Sequence, residues 1–493
     1  MNQIKLYLIG VIIFPLTLLA ISCSQKYEVK KNPYVDDYSS VKNLSQKDKW
    51  GAGNLHDPTI LKTDSFYYVY STDAYYMDNG VSIFDTDEKV GNILVRRSKD
   101  LINWEFIGWA LDEIPKEAVE YIHGINQGRG AENVWAPYIL KHNDIYRLYY
   151  SVSTFGYNIS YIGFAESSSP EGPWIDKGEV VKTDKDSPMN AIDPSIITDV
   201  ENGKMWMHYG SYFGGMYCVE LNPETGKTMT AGDLGHLVAT RGDAKDKIIE
   251  APEIIYNPEL KKYFLFVSYE PLFTYYNIRV GRSDKPEGPF YDYFGNDMAE
   301  TTNNYPILTH SYMFDNHPGW SGNGHCAVFN DNGQYYVLHQ GRLAPSNLLI
   351  NLHVREIKWL SSGWPVFSPQ RLAHKSGANI TKNSIAGEWE IIHLNDLKEK
   401  TQLWQGQIPS GGWTYDKDAF NTSSIISLKK DGTIENSNFK NWNYKGNKIF
   451  IDDIECAVFD GWDWENENYS ILISGILSDG TSIWAKKLEN KQK

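Results

Sequence analysis

Cysteine is scarce in this chain, with four in 493 residues. Once Cys23 is set aside, Cys218, Cys326 and Cys456 remain, an odd and scattered set that offers neither a disulfide framework nor metal-ligand spacing. They read as small buried hydrophobes. Basic side chains are also in deficit, 47 Lys+Arg against 62 Asp+Glu, for a formal charge of −15. That balance leaves no electrostatic footprint for nucleic acid or for an anionic membrane surface, and it suits a neutral substrate better than a polyanion. No run of like charge is long enough for a disordered interaction tail. Helical periodicity is nearly absent, which argues against a (β/α) barrel.

One long apolar run is present, Leu6 to Ile21, behind the basic Lys5. It is short for a membrane span and has the layout of a signal peptide. It ends in Ala20-Ile21-Ser22-Cys23. That ending resembles a bacterial lipoprotein cleavage site, which implies cleavage before Cys23 and a lipid on that cysteine. The expectation is an exported protein held at a bacterial membrane, periplasmic side or cell surface, only through this anchor. Residues 1–23 are then the leader and 24–45 a polar tether.

Aromatics reach 14% of the chain, with 16 Trp and 33 Tyr. Packing accounts for most of them, and a few suit stacking on sugar rings. Many of them fall in a repeat. HDPTILKTDSFYYVYST from His56 is echoed by WAPYILKHNDIYRLYYS from Trp135, IDPSIITDVENGKMWMHYGS from Ile192, EAPEIIYNPELKKYFLFVSY from Glu250 and, more weakly, GHCAVFNDNGQYYVLHQGR from Gly324. Aligned on Pro58, Pro137, Pro194, Pro252 and Cys326, the copies stand 79, 57, 58 and 74 residues apart. Each copy passes from an apolar stretch through a polar turn to alternating aromatics, the signature of two strands and a hairpin. Segments such as VRRSKDLINWEFIG from Val95 and VGRSDKPEGPFYDYFG from Val280 lie between the copies and supply two further strands. Five units of four strands predict an all-β chain with a five-bladed β-propeller over 46–372. A linker over 373–386 leads to a small β-barrel or sandwich over 387–493, marked by the hairpin turns Lys-Asp-Gly-Thr at 430–433 and Ser-Asp-Gly-Thr at 478–481.

In a propeller the first strand of every blade lines the channel, so residues at its start converge on one mouth. Asp57, Asp193 and Glu250 occupy that slot or lie one residue from it, with Trp135 and His325 in the neighbouring copies. A lone Asp-Pro is a common turn starter. Three carboxyls in equivalent slots are another matter, because like charges crowded in a channel cost stability without a compensating role. Glycoside hydrolysis uses such a set. An inverting enzyme needs an ionised carboxylate to activate water and a protonated carboxyl for the leaving oxygen, roughly 6.5–9.5 Å apart. A third carboxylate raises the pKa of the acid.

The set HDP at 56–58, WAPY at 135–138, AIDPS at 191–195, EAP at 250–252 and GH at 324–325 resembles glycoside hydrolase family 43, the five-bladed propeller enzymes. The resemblance covers about Gly51 to Gln370. It implies Asp57 as general base, Asp193 as the pKa-modulating and orienting carboxylate, Glu250 as general acid, and inversion. It implies that His325 faces a calcium ion through water, and that Trp135, Asn190 and Ser211 lie against the sugar. Cys-Ala follows His325 where related arabinanases often carry Asn-Ser. GEWEII, SGGWTYD and SGILSDGTSIWAKK resemble the C-terminal β-domain of two-domain extracellular endo-α-1,5-L-arabinanases, so plant cell-wall arabinan or arabino-oligosaccharides are the expected substrate. An exo-acting α-L-arabinofuranosidase or β-xylosidase of the same family is the alternative. A non-catalytic carbohydrate-binding surface lipoprotein is the alternative of another class, and such a protein would be expected to lose one of the three carboxyls.

Overall fold

The computed structural model describes residues 44–73, 91–242, 248–344, 350–397 and 419–489. The leader with Cys23, nearly all of the expected tether, and the SGGWTYD segment lie outside the described residues. The chain is all-β, a propeller followed by a barrel-like sheet. Apart from a 3-10 stretch at Leu44–Lys49, two short helices interrupt the strands among the described residues: α1 (Lys116–Ile125) between the first two sheets, and α2 (Lys382–Ile385). No helix among them is long and apolar enough to cross a membrane.

Each repeat copy folds as the hairpin its pattern predicts. The first sheet is β1 (His56–Lys62), β2 (Tyr67–Thr72), β3 (Asn92–Ser98) and β4 (Glu105–Leu111), in sequence order. The second is β5 (Trp135–His142), β6 (Ile145–Ser153), β7 (Ser160–Ser167) and β8 (Ile175–Thr183). The third is β9 (Ser195–Thr198), β10 (Met205–Tyr209), β11 (Met216–Leu221) and β12 (His236–Ala239). The fourth has three strands, β13 (Ile249–Asn257), β14 (Lys262–Tyr269) and β15 (Asn277–Ser283), its outer edge reduced to bridges at Tyr291. Apolar faces of successive sheets meet, as where Tyr70 and Val95 of the first pack with Leu148 and Tyr150 of the second.

The blade count departs from the five expected. Four separate propeller sheets form, and the fifth copy merges into a larger one. The strands involved are β16 (Tyr312–Met313), β17 (Trp320–Ser321), β18 (Cys326–Asp331), β19 (Gln334–Leu343), β20 (Ile350–Trp359) and β21 (Pro365–Phe367). The reason is the length of β19. Its pairing with β18 stops at His339, and the rest of that edge, Arg342 and Leu343, pairs with Ser321 and Trp320 of β17. The sheet then continues through β16 to β23 (Asn421–Thr422), which belongs to the C-terminal region.

That region is an eight-stranded sheet built from β22 (Gly387–Leu394), β24 (Ser424–Leu428), β25 (Ile434–Glu435), β26 (Trp442–Lys445), β27 (Lys448–Ile451), β28 (Ile454–Asp463), β29 (Asn468–Ile476) and β30 (Ser482–Lys487). Trp389, Ile391, Ile426, Ile449 and Ile483 fill its interior. The sheet is not a free appendage. Phe459, Leu472 and Trp484 share one core with Phe264, Val337, Trp364 and Phe367 of the propeller. At this junction Lys486 is fully buried, with Nζ 2.6 Å from Asp463, 2.7 Å from Glu465 and 3.3 Å from Glu390.

Candidate active site

The three carboxyls and His325 owe their convergence to a backbone feature that recurs in every repeat copy. Asp57, Ala136, Asp193, Ala251 and His325 each take a left-handed φ, between +39° and +58°. Four of the five precede a proline. In the first, second and fourth sheets the antiparallel register slips at this point, three residues of the inner strand spanning two on its neighbour. Proline has no N–H for the ladder, so the pairing breaks there, and a bulge re-aims the side chains beside it. Strain of this kind in non-glycine residues costs about 1–3 kcal/mol each and gathers at functional sites. Glu250 stands one residue before the left-handed position, beside Ala251.

All three carboxyls are buried, yet their surroundings pull their protons in opposite directions. Asp57 Oδ1 is 2.9 Å from His325 Nδ1, and Thr72 Oγ1 donates to Asp57 Oδ2 at 2.7 Å. Burial pushes Asp57 up, but His56 and His325 outweigh it and hold the carboxyl well below its usual range. Burial likewise works against the charge on His325, but Asp57, with Asp193 and Glu250 behind it, lifts the imidazole to about 9. An ion pair therefore sits in the channel at neutral pH. Glu250 is raised, first by burial and then by the charge of Asp57, against hydrogen bonds from Ser211 and Tyr276. Asp193 is raised well above its usual value by burial and by its two acidic neighbours. One ionised carboxylate thus faces two carboxyls that favour their protons, the separation that acid–base pairs require.

The other expected residues are placed as follows. Trp135 is half-buried in the slot next to Asp57, its indole N–H held by Asn133 Oδ1. Ser211 Oγ donates to Glu250 Oε2 at 2.7 Å, so its hydroxyl serves the carboxyl. Asn190 is buried and its Oδ1 accepts from Ser160 Oγ. Sequence reasoning passed over several neighbours. His56 Nδ1 is 2.6 Å from Asp57 Oδ2 but off the bond axis, and neither ring nitrogen has a directed partner. Burial lowers its pKa, and Asp57 beside it works the other way. Tyr276 bonds Glu250 from a loop without a motif. Exposed Phe155 and Tyr157 follow β6, and Phe213 follows β10, on the loops that leave the mouth ends of those strands. Their aromatic-glycine character was the available signal.

Nowhere among the described residues do three or more His, Cys, Asp or Glu side chains converge as a direct metal-ligand set. His325 has Nδ1 committed to Asp57.

Residues 51–365 match glycosyl hydrolases family 43. The chain belongs to glycosyl hydrolase family 43. As a family 43 glycosidase it carries a second matched segment, 369–485, a C-terminal lipocalin-like domain. It is 28% identical to an extracellular endo-α-(1→5)-L-arabinanase of Thermotoga petrophila, over 88% of this chain and 94% of that one. It is also 28% identical to an extracellular exo-α-(1→5)-L-arabinofuranosidase of Cellvibrio japonicus, but there the match covers 65% of this chain and 88% of that one. The crystal structure of an endo-1,5-α-L-arabinanase from Thermotoga petrophila superposes with a TM-score of 0.71 at 25% identity, covering 89% of this chain and 99% of that one. The endo-acting relative thus spans the C-terminal domain as well as the propeller.

Proposed function

We propose that this family 43 glycosidase hydrolyses internal α-1,5-L-arabinofuranosidic bonds of arabinan with inversion. Asp57 is the general base, Glu250 the general acid, and Asp193 the carboxyl that keeps Glu250 protonated and oriented. One observation carries the reading: Asp57 is held ionised by its histidines while Glu250, buried in the same channel, is biased toward its proton. Water bound to Asp57 loses its proton as it attacks the anomeric carbon, and the Glu250 proton moves to the departing glycosidic oxygen. Asp193 contributes by accepting the Ala251 N–H at 3.1 Å, next to the acid. Trp135, Asn190 and Ser211 border the bound sugar.

The strands β18–β21 act as the fifth blade and close the ring. This is supported by the position of His325 against Asp57, by the Tyr67 and Lys62 contacts to Asp331, and by the Gly53–Asn351 bridge. The catalytic domain spans 46–372 and the C-terminal domain 387–493, joined by the linker between them. The relatives named extracellular support export. The lipid anchor at Cys23 completes this reading, and recovery of a Cys23→Ser variant in the soluble instead of the membrane fraction checks it.

Purified protein incubated with debranched arabinan is expected to release oligosaccharides of several lengths from the first minutes, resolved by size. Arabinose alone from that substrate would favour the exo-acting arabinofuranosidase, activity on xylan alone the β-xylosidase, and no release from arabinan or xylan the binding lipoprotein.

Calcium, held through water at His325, would supply positive charge near the carboxylates. Its removal by a chelator is expected to lower Tm by several degrees, with recovery on adding Ca²⁺. An unchanged Tm after verified removal of the metal sinks this part.

A further inference from the structure

Neighbouring propeller sheets are stitched together at the mouth by one repeated contact. The N–H of the left-handed residue donates to a hydroxyl at the end of the preceding sheet's second strand. Asp193 N–H donates to Ser151 Oγ at 3.2 Å, and His325 N–H to Ser268 Oγ at 2.8 Å. Between the third and fourth sheets the pattern changes. There Ala251 N–H donates to Asp193 Oδ2, and Ser211, just past the second strand, turns its hydroxyl onto Glu250.

The junction between the first and second sheets does both. Ala136 N–H donates to Thr72 Oγ1 at 2.7 Å, and Thr72 Oγ1 donates to Asp57 Oδ2 at 2.7 Å. A hydroxyl has one proton. With the Ala136 N–H occupying a lone pair, the Thr72 proton is left to the carboxylate, and Thr72 is buried away from competing water. Thr72 is also β-branched, unlike the serines at the other junctions, and its χ1 is correspondingly stiff.

We infer that Thr72 is a positioning residue for hydrolysis, fixing the Asp57 carboxylate between its own hydroxyl on Oδ2 and His325 on Oδ1 so that the remaining lone pairs face the attacking water. This rests on the assignment of Asp57 as general base. Rotation of the carboxylate about its Cβ–Cγ bond would break one donor or the other. Thr72 also couples the blade carrying the base to the backbone of Ala136, next to Trp135, so the base and the wall of the sugar site move as one unit.

The test compares Thr72→Val, which keeps the shape and loses the hydroxyl, with Thr72→Ser, which keeps the hydroxyl. Debranched arabinan is the substrate, and Asp57→Ala is assayed alongside. A hydrogen bond to a charged group is worth roughly a factor of ten to a hundred. Thr72→Val is therefore expected to lose about that much kcat with KM within about twofold of the parent, and Thr72→Ser to recover most of the loss. Should Thr72→Val fail to fold, Thr72→Ala, which leaves room for water, takes its place in the comparison. Parent-like kcat in the hydroxyl-free variant overturns the inference, as does a loss confined to KM or shared equally by Thr72→Ser. If Asp57→Ala itself keeps parent-like activity, the assignment of the base fails first, and the two failures are thereby told apart.

Discussion

Glu250→Ala is expected to lower kcat on debranched arabinan by about 10²–10⁴-fold, the usual contribution of a positioned general acid, and to spare substrates that need no acid. An alkoxide departing from a sugar chain is a poor leaving group and must be protonated as the bond breaks. A nitrophenolate is not, so a nitrophenyl α-L-arabinofuranoside that the parent cleaves should keep most of its rate in Glu250→Ala. Asp57→Ala should lose a comparable factor on both substrates, because water must be activated whichever group leaves. The surroundings of the two carboxyls are the ground for this asymmetry. Asp57 is paired with an imidazolium and holds a hydroxyl donor, whereas Glu250 is buried with its proton favoured by the neighbouring charge. Steady-state kinetics on the two substrates check it. Equal losses for Glu250→Ala on both would mean that Glu250 does not act as the acid, and parent-like activity in either variant would remove that residue from the mechanism.

A chain ending at residue 372 is expected to yield no soluble folded propeller, and the full chain to unfold in a single cooperative transition. Truncation would strip Ile392, Phe459, Leu472 and Trp484 from the core they share with Phe264, Phe266, Trp364 and Phe367. Burial of a large apolar side chain is worth about 1.5–3 kcal/mol, and several would be exposed at once. Polar groups would suffer as well. Arg279 is wholly buried and its Nη2 bonds Asp396 Oδ1 at 2.9 Å. Removing one partner of such a pair costs about 3–5 kcal/mol, because the other charge stays uncompensated. Arg355 would lose the face of Trp484, 4.7 Å from the ring centre, and Ile307 would lose the bond of its N–H to the Gly480 carbonyl and the Ser482 hydroxyl that donates to its C=O. Net stabilities of folded proteins are about 5–15 kcal/mol, so these losses exceed what the propeller can absorb. Expression, gel filtration and thermal melting of the truncated chain check the expectation. A soluble monomer with a sharp transition of its own would overturn it.

Much of the site was legible because a propeller converts sequence position into spatial position. Aligning Pro58, Pro137, Pro194 and Pro252 is enough to predict that Asp57, Asp193 and Glu250 meet, since an inner strand must begin at the channel mouth in every blade. Cys326 in place of a proline made the last copy the hardest to align, and His325 nevertheless falls in the same left-handed slot. Tyr276 was not legible, because its loop carries no repeat. Nor was Ser211's attachment to Glu250, since side-chain partners across blades leave no trace in spacing.

From the amino-acid order alone follow the all-β class, the repeating hairpins, the meeting of three carboxyls with a histidine, and the turn-rich last domain. Each depends on local patterning or on a repeat with one geometric solution. Only the tertiary structure decided the rest. β19 outruns β18 and draws the fifth copy into a sheet with the C-terminal region. Trp484 and Phe459 turn two domains into one core. The three carboxyls, alike in sequence, part company through burial and through which donor each one meets: His325 and Thr72 at Asp57, Ser211 and Tyr276 at Glu250, and the Ala251 N–H at Asp193. A carboxyl's charge state is set by what lies within a few ångströms of it, and those neighbours come from strands far apart in the chain.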